Sequence, residues 1–280
     1  MGRKDDYYNR AKQQGYRSRA SYKLKQIDEA EELFERGDTV VDLGAAPGGW
    51  LQVAAEEVGE QGTVVGVDLQ RIEELEDHDV ETLRGDMTDE RTQHYLGKAM
   101  GDEKADVVIS DMAPNMTGEY SLDHARSVHL ARQAFEVAEE FLAPGGHFVV
   151  KVFQGEDLHD FRDEVSEHFE YVRTMSPEAS RDASSEVFLV GKGRITAPVE
   201  EGDRLTIEIE HEGDEGDGIA YLEGYSLFVP GADAGDTVEV VVDDLKPKFG
   251  FAELVDEEDA DDGDGDRDDT GTDDSDRDDE

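Results

Sequence analysis

Four charged residues, far apart in the chain, are of types that could together activate a weakly reactive hydroxyl group: Lys23, Asp111, Lys151 and Glu186. A hydroxyl is a poor nucleophile until its proton is removed or its developing negative charge is stabilised, and lysine can do either. Lys151 would accept the proton or orient the hydroxyl, while the carboxylates hold the lysines in place. The alternative to a catalytic role is ordinary ion pairing at a sheet edge. For Glu186 taken alone, ion pairing is the preferred interpretation.

These residues fall where the predicted elements could bring them together. Asp111 and Lys151 lie at the ends of neighbouring predicted strands. Glu186 begins the last predicted strand, beside the fifth, and Lys23 lies on an N-terminal helix that could cover the mouth of the same cavity. Ligands of doubly wound sheets bind at these carboxyl ends of strands.

A glycine-rich loop predicts a nucleoside-type cofactor. It runs from Asp42 to Trp50 as Asp-Leu-Gly-Ala-Ala-Pro-Gly-Gly-Trp, directly after an apolar run. Glycines there let backbone N–H groups approach a ligand that a Cβ would block. The loop matches neither the dinucleotide G-x-G-x-x-G pattern nor the G-K-[ST] of a phosphate-binding P-loop.

Aspartates at four strand ends narrow the choice of cofactor: Asp42, Asp68, Asp86 and Asp111. A phosphate would avoid so many carboxylates, whereas S-adenosylmethionine offers hydroxyls, an amine and positive charge. Asp68 can accept hydrogen bonds from both ribose hydroxyls, and Asp86 can accept one from the adenine amine. Trp50 can line the pocket beside the methionine part of the ligand. Each aspartate taken singly could instead cap the following helix or turn.

The chain up to residue 191 alternates strand-like and helix-like segments, which predicts an α/β fold: a mostly parallel seven-stranded sheet with helices on both faces. The last strand follows the sixth without room for a helix and is expected to be antiparallel. The predicted strands are 39–43, 63–68, 80–83, 106–110, 146–153, 171–175 and 186–191, and the predicted helices are 21–34, 49–58, 89–100, 122–142 and 158–169.

The composition predicts three segments. Residues 1–193 form the α/β domain, and 194–255 carry short strands separated by glycine turns, which predicts a small β-barrel. Residues 256–280 are almost entirely Asp, Glu, Gly, Thr, Ser and Arg. Such a tail cannot bury apolar surface and is expected to be disordered.

The charge balance is strongly acidic, with a formal net charge of −46 from 73 acidic and 27 basic residues. Because the acidity is spread over every surface and lysine is scarce, we interpret it as adaptation to a salty cytoplasm, where the Debye length is roughly 3 Å at molar salt. An acidic protein that avoids nucleic acid is the alternative. The chain has no cysteine and no membrane-length apolar run, so we expect a cytoplasmic protein without thiolate chemistry.

The N-terminal segment is basic and aromatic in this acidic chain, which favours contact with RNA; a solvated, frayed terminus is the alternative. The basic residues are Arg3, Lys4, Arg10, Lys12, Arg17, Arg19, Lys23 and Lys25, and the tyrosines are Tyr7, Tyr8, Tyr16 and Tyr22.

Several segments between Tyr7 and Gly193 match one known family. They are Arg17–Lys25, Asp42–Trp50, Gly66–Asp68, Gly85–Asp86, Ser110–Asn115, Val150–Gly155 and Ser184–Glu186. In these segments the chain resembles the RlmE/FtsJ (RrmJ) family of ribosomal RNA large-subunit 2′-O-ribose methyltransferases.

The resemblance implies a Rossmann-like fold, S-adenosylmethionine as methyl donor and a uridine ribose of 23S ribosomal RNA as acceptor, methylated late in assembly of the large subunit. It implies catalytic roles for four residues: Lys151 as proton acceptor, with Lys23, Asp111 and Glu186. The cofactor contacts that it implies are Gly48, Trp50, Asp68, Asp86 and Asp111. Some relatives modify transfer RNA anticodon loops instead.

Residues 218–238 look like part of a TRAM domain, a small RNA-binding barrel of the OB-like type. Lys246, Lys248, Phe249 and Phe251 add cations and stacking faces, so the barrel and the N-terminus are expected to contact one RNA. We expect neither DNA nor a membrane as partner, and the histidines show no metal-binding spacing. A non-catalytic RNA-binding assembly factor with the same fold is a further alternative.

Overall fold

The computed structural model describes residues 3–180, 184–213 and 216–255. Two compact units comprise these residues: unit 1 runs to Ala197 and includes Leu245–Lys248, and unit 2 comprises Pro198–Asp244 and the residues from Phe249 onward. The tail expected over 256–280 lies outside the described residues. Among the helices described, none combines the length and apolarity needed to span a membrane.

Unit 1 alternates helices and strands, as the sequence predicts. Its helices are α1 (Arg3–Gln14), α2 (Ser21–Glu31), α3 (Gly49–Val58), α4 (Glu90–Ala99), α5 (Tyr120–Phe141) and α6 (Leu158–Ser166). Its strands are β1 (Thr39–Leu43), β2 (Thr63–Asp68), β3 (Glu81–Arg84), β4 (Ala105–Ser110), β5 (Leu142–Phe153), β6 (Phe169–Met175) and β7 (Glu186–Arg194).

One seven-stranded sheet forms the centre of this unit, in the order β3-β2-β1-β4-β5-β7-β6. The first five of these pair in parallel, and β7 runs antiparallel between β5 and β6. The predicted α/β fold and its antiparallel last strand are confirmed. Chain order reverses between β1 and β4, so the carboxyl ends of β1, β4 and β5 lie side by side at the switch point where such sheets bind ligands.

The core lies on both faces of the sheet, because central parallel strands are covered by helices on each side. Strand β1 is buried along its whole length. Val40 belongs to the same buried cluster as Leu24 and Ile27 of α2, and Val41 belongs to the other cluster, which includes Phe135 of α5. These layers fix α2 and α5 against the strands that carry the candidate residues.

Several bounds differ from the prediction: α2 and α6 end three residues earlier than predicted, and β7 ends three residues later. The basic N-terminal segment, to which no element was assigned, contains α1. Strand β5 begins at Leu142 rather than at residue 146, because Leu142 pairs with Ala105 across an irregularity in the β4–β5 ladder.

Unit 2 is a six-stranded sheet, in the order β8-β12-β13-β11-β10-β9. The predicted β-rich module is confirmed, with β9 missed because it comprises only two residues. Ile207, Leu227 and Val240 are among its buried core residues. The strands are β8 (Arg204–Glu208), β9 (His211–Glu212), β10 (Gly218–Leu222), β11 (Tyr225–Val229), β12 (Thr237–Leu245) and β13 (Phe249–Leu254).

Candidate active site

Lys23, Asp111, Lys151 and Glu186 lie in one cluster. Oδ1 of Asp111 is 2.8 Å from Nζ of Lys151 and 3.5 Å from Nζ of Lys23. The ammonium of Lys23 is in turn 2.8 Å from Oε1 of Glu186. Lys151 also donates a hydrogen bond to the backbone carbonyl of Asp111. Two ammonium groups therefore share one carboxylate oxygen, in a cluster largely shielded from water.

Backbone pairing of three strands positions three members of this lysine–carboxylate cluster. Asp111 directly follows β4, which pairs in parallel with β5, the strand of Lys151. Glu186 is the first residue of β7 and lies opposite Phe153 in the antiparallel β5–β7 ladder. The cluster is thus built at the switch point by the registers of adjacent strands.

Lys23 reaches the cluster from α2, which is fastened to the start of α3. Ser21 Oγ donates to the carbonyl of Gly49 at 2.9 Å, and the Trp50 indole N–H donates to the carbonyl of Ala20 at 2.8 Å. The Trp50 ring also lies 5.8 Å from that of Phe188. Trp50 thus anchors the helix that carries Lys23, in addition to lining the cavity beside it.

Glu186 is held in its charged form by its neighbours. Burial alone would raise the pKa of this carboxyl, but the positive charge of Lys23 and the hydrogen bond from it bring the pKa below its usual value, with a smaller contribution from Lys151. The acid is therefore a fixed negative charge that holds Lys23 in place.

The glycine-rich loop after β1 borders a small cavity of about 60 Å³, lined by residues that include Asp42, Ala45, Trp50 and Asp111. Gly44 has a φ of +78°, and a Cβ there would lie 2.2 Å from Cγ of Met112. Both the backbone conformation and the space exclude a side chain at this position. The loop thus approaches the segment after Asp111 as closely as the backbone allows.

The predicted cofactor-binding residues lie along this loop and the neighbouring strand ends. Asp68 ends β2, and its carboxylate accepts from the backbone N–H of Ala46 at 2.9 Å and of Gln70 at 2.7 Å. Gly48, at φ +103°, is the N-cap of α3. Asp86 is exposed after β3 and accepts from the backbone and hydroxyl of Thr88. Asp68 and Asp86 thus also stabilise local turns through hydrogen bonds, which is the alternative role that the sequence offered for each aspartate.

Asp42 is a buried carboxyl that the sequence placed at a strand end without a specific role. It is 1% exposed, lines the cavity, and has a carboxyl oxygen for which the described residues provide no hydrogen-bond partner. Burial, together with the negative charges of Asp111 and Asp68, raises the pKa of Asp42 well above its usual value. The site thus contains an acid that favours either a proton or a cation.

Most of the basic and aromatic N-terminal side chains that the structure describes are engaged within the protein, which corrects the expectation that the whole set faces RNA. Arg17 donates to the carbonyls of Pro47, Glu73 and Glu74, and so bridges the loops after β1 and β2. Arg19 donates to Ala179, and Lys25 pairs with Glu56. The rings of Tyr7 and Tyr16 pack against Tyr22, and the guanidinium of Arg10 lies over the rings of Tyr7 and Tyr22. Tyr8, Arg10 and Lys12 are exposed.

Helix α5 fastens the loop that follows Lys151, a feature that sequence reasoning missed. His124 Nδ1 lies 3.0 Å from the carbonyl of Phe153, and its Nε2 accepts from the backbone N–H of Asp157 at 3.2 Å. Ser127 Oγ accepts from the backbone N–H of Phe153. The only sequence signal was the helical spacing of 124 and 127, which also fits simple packing.

Two other kinds of candidate site, a metal centre and a larger cavity, do not compete with the cluster in the part of the chain that the structure describes. No group of three or more His, Cys, Asp or Glu side chains in the described ranges could hold a metal ion. A larger cavity of about 490 Å³ is lined by residues between Arg71 and Arg84 and includes no member of the lysine–carboxylate cluster. Its size alone does not outweigh the convergence of charged groups at the switch point.

Comparison with known proteins supplies the family. The model for FtsJ-like methyltransferases matches residues 16–194, and that for the TRAM domain matches residues 198–255. Ribosomal RNA large subunit methyltransferase E of Halorubrum lacusprofundi is 75% identical over 256 residues, which cover 91% of this chain and 95% of that protein. The proteins of the same name from Natronomonas pharaonis and Methanosarcina mazei are 67% and 50% identical, over 91% and 90% of this chain and 100% and 92% of their own lengths.

A solved structure agrees with the family match. The crystal structure of a protein described as a ribosomal RNA methyltransferase from Plasmodium falciparum is similar with a TM-score of 0.58 and 25% identity, over 64% of this chain and 98% of that one. This chain therefore belongs to the FtsJ-like methyltransferase family, and a TRAM domain follows its methyltransferase region.

Proposed function

We propose that this protein transfers a methyl group from S-adenosylmethionine to the 2′-hydroxyl of a ribose in large-subunit ribosomal RNA. The observation that carries the proposal is the shared carboxylate oxygen of Asp111, which lies between Lys23 and Lys151. The curated relatives bear the name ribosomal RNA large subunit methyltransferase E. Family membership supports methyl transfer, and the lysines support an oxygen acceptor.

The residues around the glycine loop fit S-adenosylmethionine. Asp42 lines a cavity that Asp111 also lines, and one oxygen of its carboxyl has no hydrogen-bond partner among the described residues, which suits a positively charged ligand. Asp68 and Asp86 would hold the ribose and the adenine, since a carboxylate oxygen that already accepts one hydrogen bond can accept another. Gly48 and Trp50 would border the same ligand. When bound, the cofactor supplies the electrophilic methyl group.

Lys151 acts on the acceptor hydroxyl in this proposal. The carbonyl and the carboxylate of Asp111 hold its Nζ, and Asp111 itself lines the cavity. As the neutral amine Lys151 accepts the hydroxyl proton, and as the ammonium it stabilises the negative charge that develops on the oxygen. Lys23 adds positive charge, and Glu186 fixes Lys23. Preorganised charge of this kind costs no rearrangement when the reaction occurs.

The finer part of the proposal is a uridine acceptor in 23S ribosomal RNA, methylated in the cytoplasm late in subunit assembly. It rests on the family resemblance. Methylation of a transfer RNA anticodon loop is the second candidate, and a non-catalytic assembly factor is the third. A complete lysine–carboxylate cluster disfavours the third, because an inactive protein has no need to bury two lysines.

We also propose how the segments divide the work. Residues 1–193 bind the cofactor and carry the reaction, 194–255 bind RNA as the TRAM domain, and 256–280 form an acidic tail. In the N-terminal segment, the exposed Tyr8, Arg10 and Lys12 are the side chains best placed to meet RNA. In the barrel, Phe249 offers a partly exposed ring, 38% accessible.

The test is methyl transfer from labelled S-adenosylmethionine to large ribosomal subunits from a strain that lacks this gene. We expect Lys151→Ala to abolish transfer while S-adenosylmethionine still binds. Lys98→Ala, which removes an exposed lysine paired with Asp102, is the control. Mapping 2′-O-methyl groups in ribosomal and transfer RNA of the same strain identifies the acceptor. Equal activity of Lys151→Ala and wild type would overturn the proposal.

A further inference from the structure

A group of exposed apolar residues follows Asp111 in the chain. Met116, Tyr120 and Leu122 are 63%, 61% and 38% accessible; Met116 lies on the segment between Asp111 and helix α5, and the other two lie in the first turn of α5. Isolated exposed apolar residues are common and need no explanation. Tyr120 differs from such residues, because its ring is both exposed and fixed.

The phenol of Tyr120 is tied to the strand ends that carry the cluster. Its hydroxyl donates to the carbonyl of Gln154 at 2.6 Å. The backbone N–H of Gln154 donates to the carbonyl of Ser185 at 2.8 Å. Gln154 follows Lys151 by three residues, and Ser185 precedes Glu186. The ring therefore stands at the point where the chain leaves β5 and enters β7.

Tyr120 is the exposed end of a stripe along α5. Tyr120, His124 and Ser127 are spaced so that they lie on one face of the helix, and all three contact Phe153 or Gln154 through hydrogen bonds. His124 and Ser127 are buried. The inner two residues thus hold the helix to β5, and the outer one presents its ring to solvent.

The segment before Tyr120 is also held in place. The carboxylate of Asp123 accepts from the backbone N–H and the hydroxyl of Thr117, both at 2.8 Å, and from the backbone N–H of Gly118 at 3.0 Å. A ring presented on a preformed surface binds a partner without the cost of ordering a loop.

We propose that the ring of Tyr120 is the surface on which a base of the substrate RNA stacks, next to the ribose that lies at Lys151. This proposal rests on the proposed function and names a specific contact for it. Every base has a flat π-face, so an aromatic platform accepts RNA regardless of sequence. Tyrosine supplies such a face, and the bond to Gln154 orients it.

The charge of the chain favours stacking over phosphate contacts at this edge. With a net charge of −46, the protein repels a polyanion at low salt. At molar salt the Debye length is roughly 3 Å, so cation–phosphate attraction is strongly screened. A ring-to-base contact is uncharged and is therefore retained at high salt.

Three variants test the contact: Tyr120→Leu, Tyr120→Phe and Tyr171→Leu. The leucine removes the ring, and the phenylalanine keeps the ring but removes the bond to Gln154. Tyr171 is the control, because its side chain is 44% accessible but lies away from Lys151. In the sheet, Tyr171 is opposite Lys192, and Lys192 is opposite His147, which is near the start of β5.

Kinetics use unmethylated large subunits from the deletion strain, at low and at molar salt. For Tyr120→Leu we expect the KM for subunits to rise roughly five- to a hundredfold at both salt concentrations, with S-adenosylmethionine affinity unchanged. Tyr120→Phe should retain most of the affinity, and Tyr171→Leu should match wild type. If Tyr120→Phe and Tyr120→Leu lower kcat equally and leave the KM for subunits unchanged, Tyr120 only positions the loop, and the stacking proposal is overturned.

Binding measurements keep this proposal separable from the proposed function. The affinity for the same subunits is measured for Lys151→Ala and for the double variant Lys151→Ala/Tyr120→Leu. Neither protein is expected to transfer a methyl group. Loss of affinity in the leucine variant supports stacking even if wild type is found to methylate another position. Unchanged affinity overturns stacking even if ribose methylation is demonstrated.

Discussion

Oδ1 of Asp111 lies 2.8 Å from Nζ of Lys151, although the two residues are 40 positions apart in the chain. The parallel pairing of β4 with β5 creates this proximity. The same oxygen is 3.5 Å from Lys23, so one carboxylate balances two ammonium groups, with Glu186 as the second anion. Charges removed from water are tolerated when each is paired and hydrogen-bonded, as they are here.

Replacing Asp111 by Asn should abolish methyl transfer and lower the free energy of unfolding by about 3 kcal/mol. The amide keeps the shape of the side chain but leaves Lys23 and Lys151 facing each other without the shared charge. Transfer assays and urea denaturation measure the two effects. Asp102→Asn, which breaks only an exposed pair with Lys98, should change neither. Full activity in Asp111→Asn would contradict a role for this charge.

Removing the carboxylate of Asp42 should stabilise the cofactor-free protein increasingly as pH rises. Because burial raises the pKa of Asp42 above its unfolded value, the folded state binds the extra proton, and folding stability falls as pH rises between the two values. Asp42→Asn carries no such penalty. At pH 8 we expect it to melt roughly 2–6 °C above wild type by thermal denaturation, with a smaller difference near pH 4.

Asp123 provides a control of opposite sign. The backbone N–H of Thr117 holds the pKa of Asp123 below its usual value, so the stability that it contributes is present above the unfolded pKa and is lost as pH falls through the folded one. Asp123→Asn should therefore be the less stable protein at neutral pH, with the deficit shrinking in acid. If Asp42→Asn has the same melting temperature as wild type at every pH, the raised pKa of Asp42 is contradicted.

Gly44→Ala should destabilise the glycine loop by about 2–4 kcal/mol, combining a left-handed backbone with a clash against Met112. Adding Met112→Ala should relieve the clash and leave the backbone cost. Gly101→Ala isolates that cost, since Gly101 has a φ of +75° and open space around its Cβ position. Denaturant unfolding of wild type, Gly44→Ala, Met112→Ala and the double variant forms a double-mutant cycle. Equal losses for Gly44→Ala and Gly101→Ala would show that the close approach to Met112 has no energetic weight.

Arg17→Lys should weaken binding of S-adenosylmethionine about tenfold, because an ammonium cannot bridge the carbonyls of Pro47 and Glu73 as a guanidinium does. Calorimetry measures the affinity. Hydrogen exchange of residues 73–76 should become faster in the same variant. Lys12→Gln, a change at an exposed position of α1, should alter neither. Unchanged affinity and exchange in Arg17→Lys would show that the two loops hold their positions without this bridge.

Phe249→Leu should weaken RNA binding while leaving S-adenosylmethionine affinity unchanged. The ring of Phe249 is 38% accessible and stands edge-on to Phe228 and Phe251. Stacking of a base on such a ring supports a loss of roughly five- to a hundredfold, measured as affinity for unmethylated large subunits. If Phe249→Leu binds as wild type does, the RNA contacts of the barrel lie elsewhere.

Much of the fold could be predicted from local patterns. The apolar runs of the central strands, the helices between them and the absence of a helix before β7 were sufficient to predict the seven-stranded sheet and its antiparallel strand. These features depend on periodicity and on residues close in sequence. The ends of the helices and strands were predicted less closely. Leu142 belongs to β5 because it pairs with Ala105, and composition does not reveal a pairing between segments distant in sequence.

The sequence by itself determined the types and order of the reacting groups: a glycine loop, aspartates at strand ends, and Lys23, Asp111, Lys151 and Glu186 in a chain without cysteine. Only the tertiary structure decided which partner each group has. It placed two lysines on one carboxylate oxygen, left Asp42 buried with an unpartnered oxygen among the described residues, and turned Arg17 inward. The physical reason is that side-chain pairing and burial depend on the approach of segments distant in sequence, which no local pattern encodes.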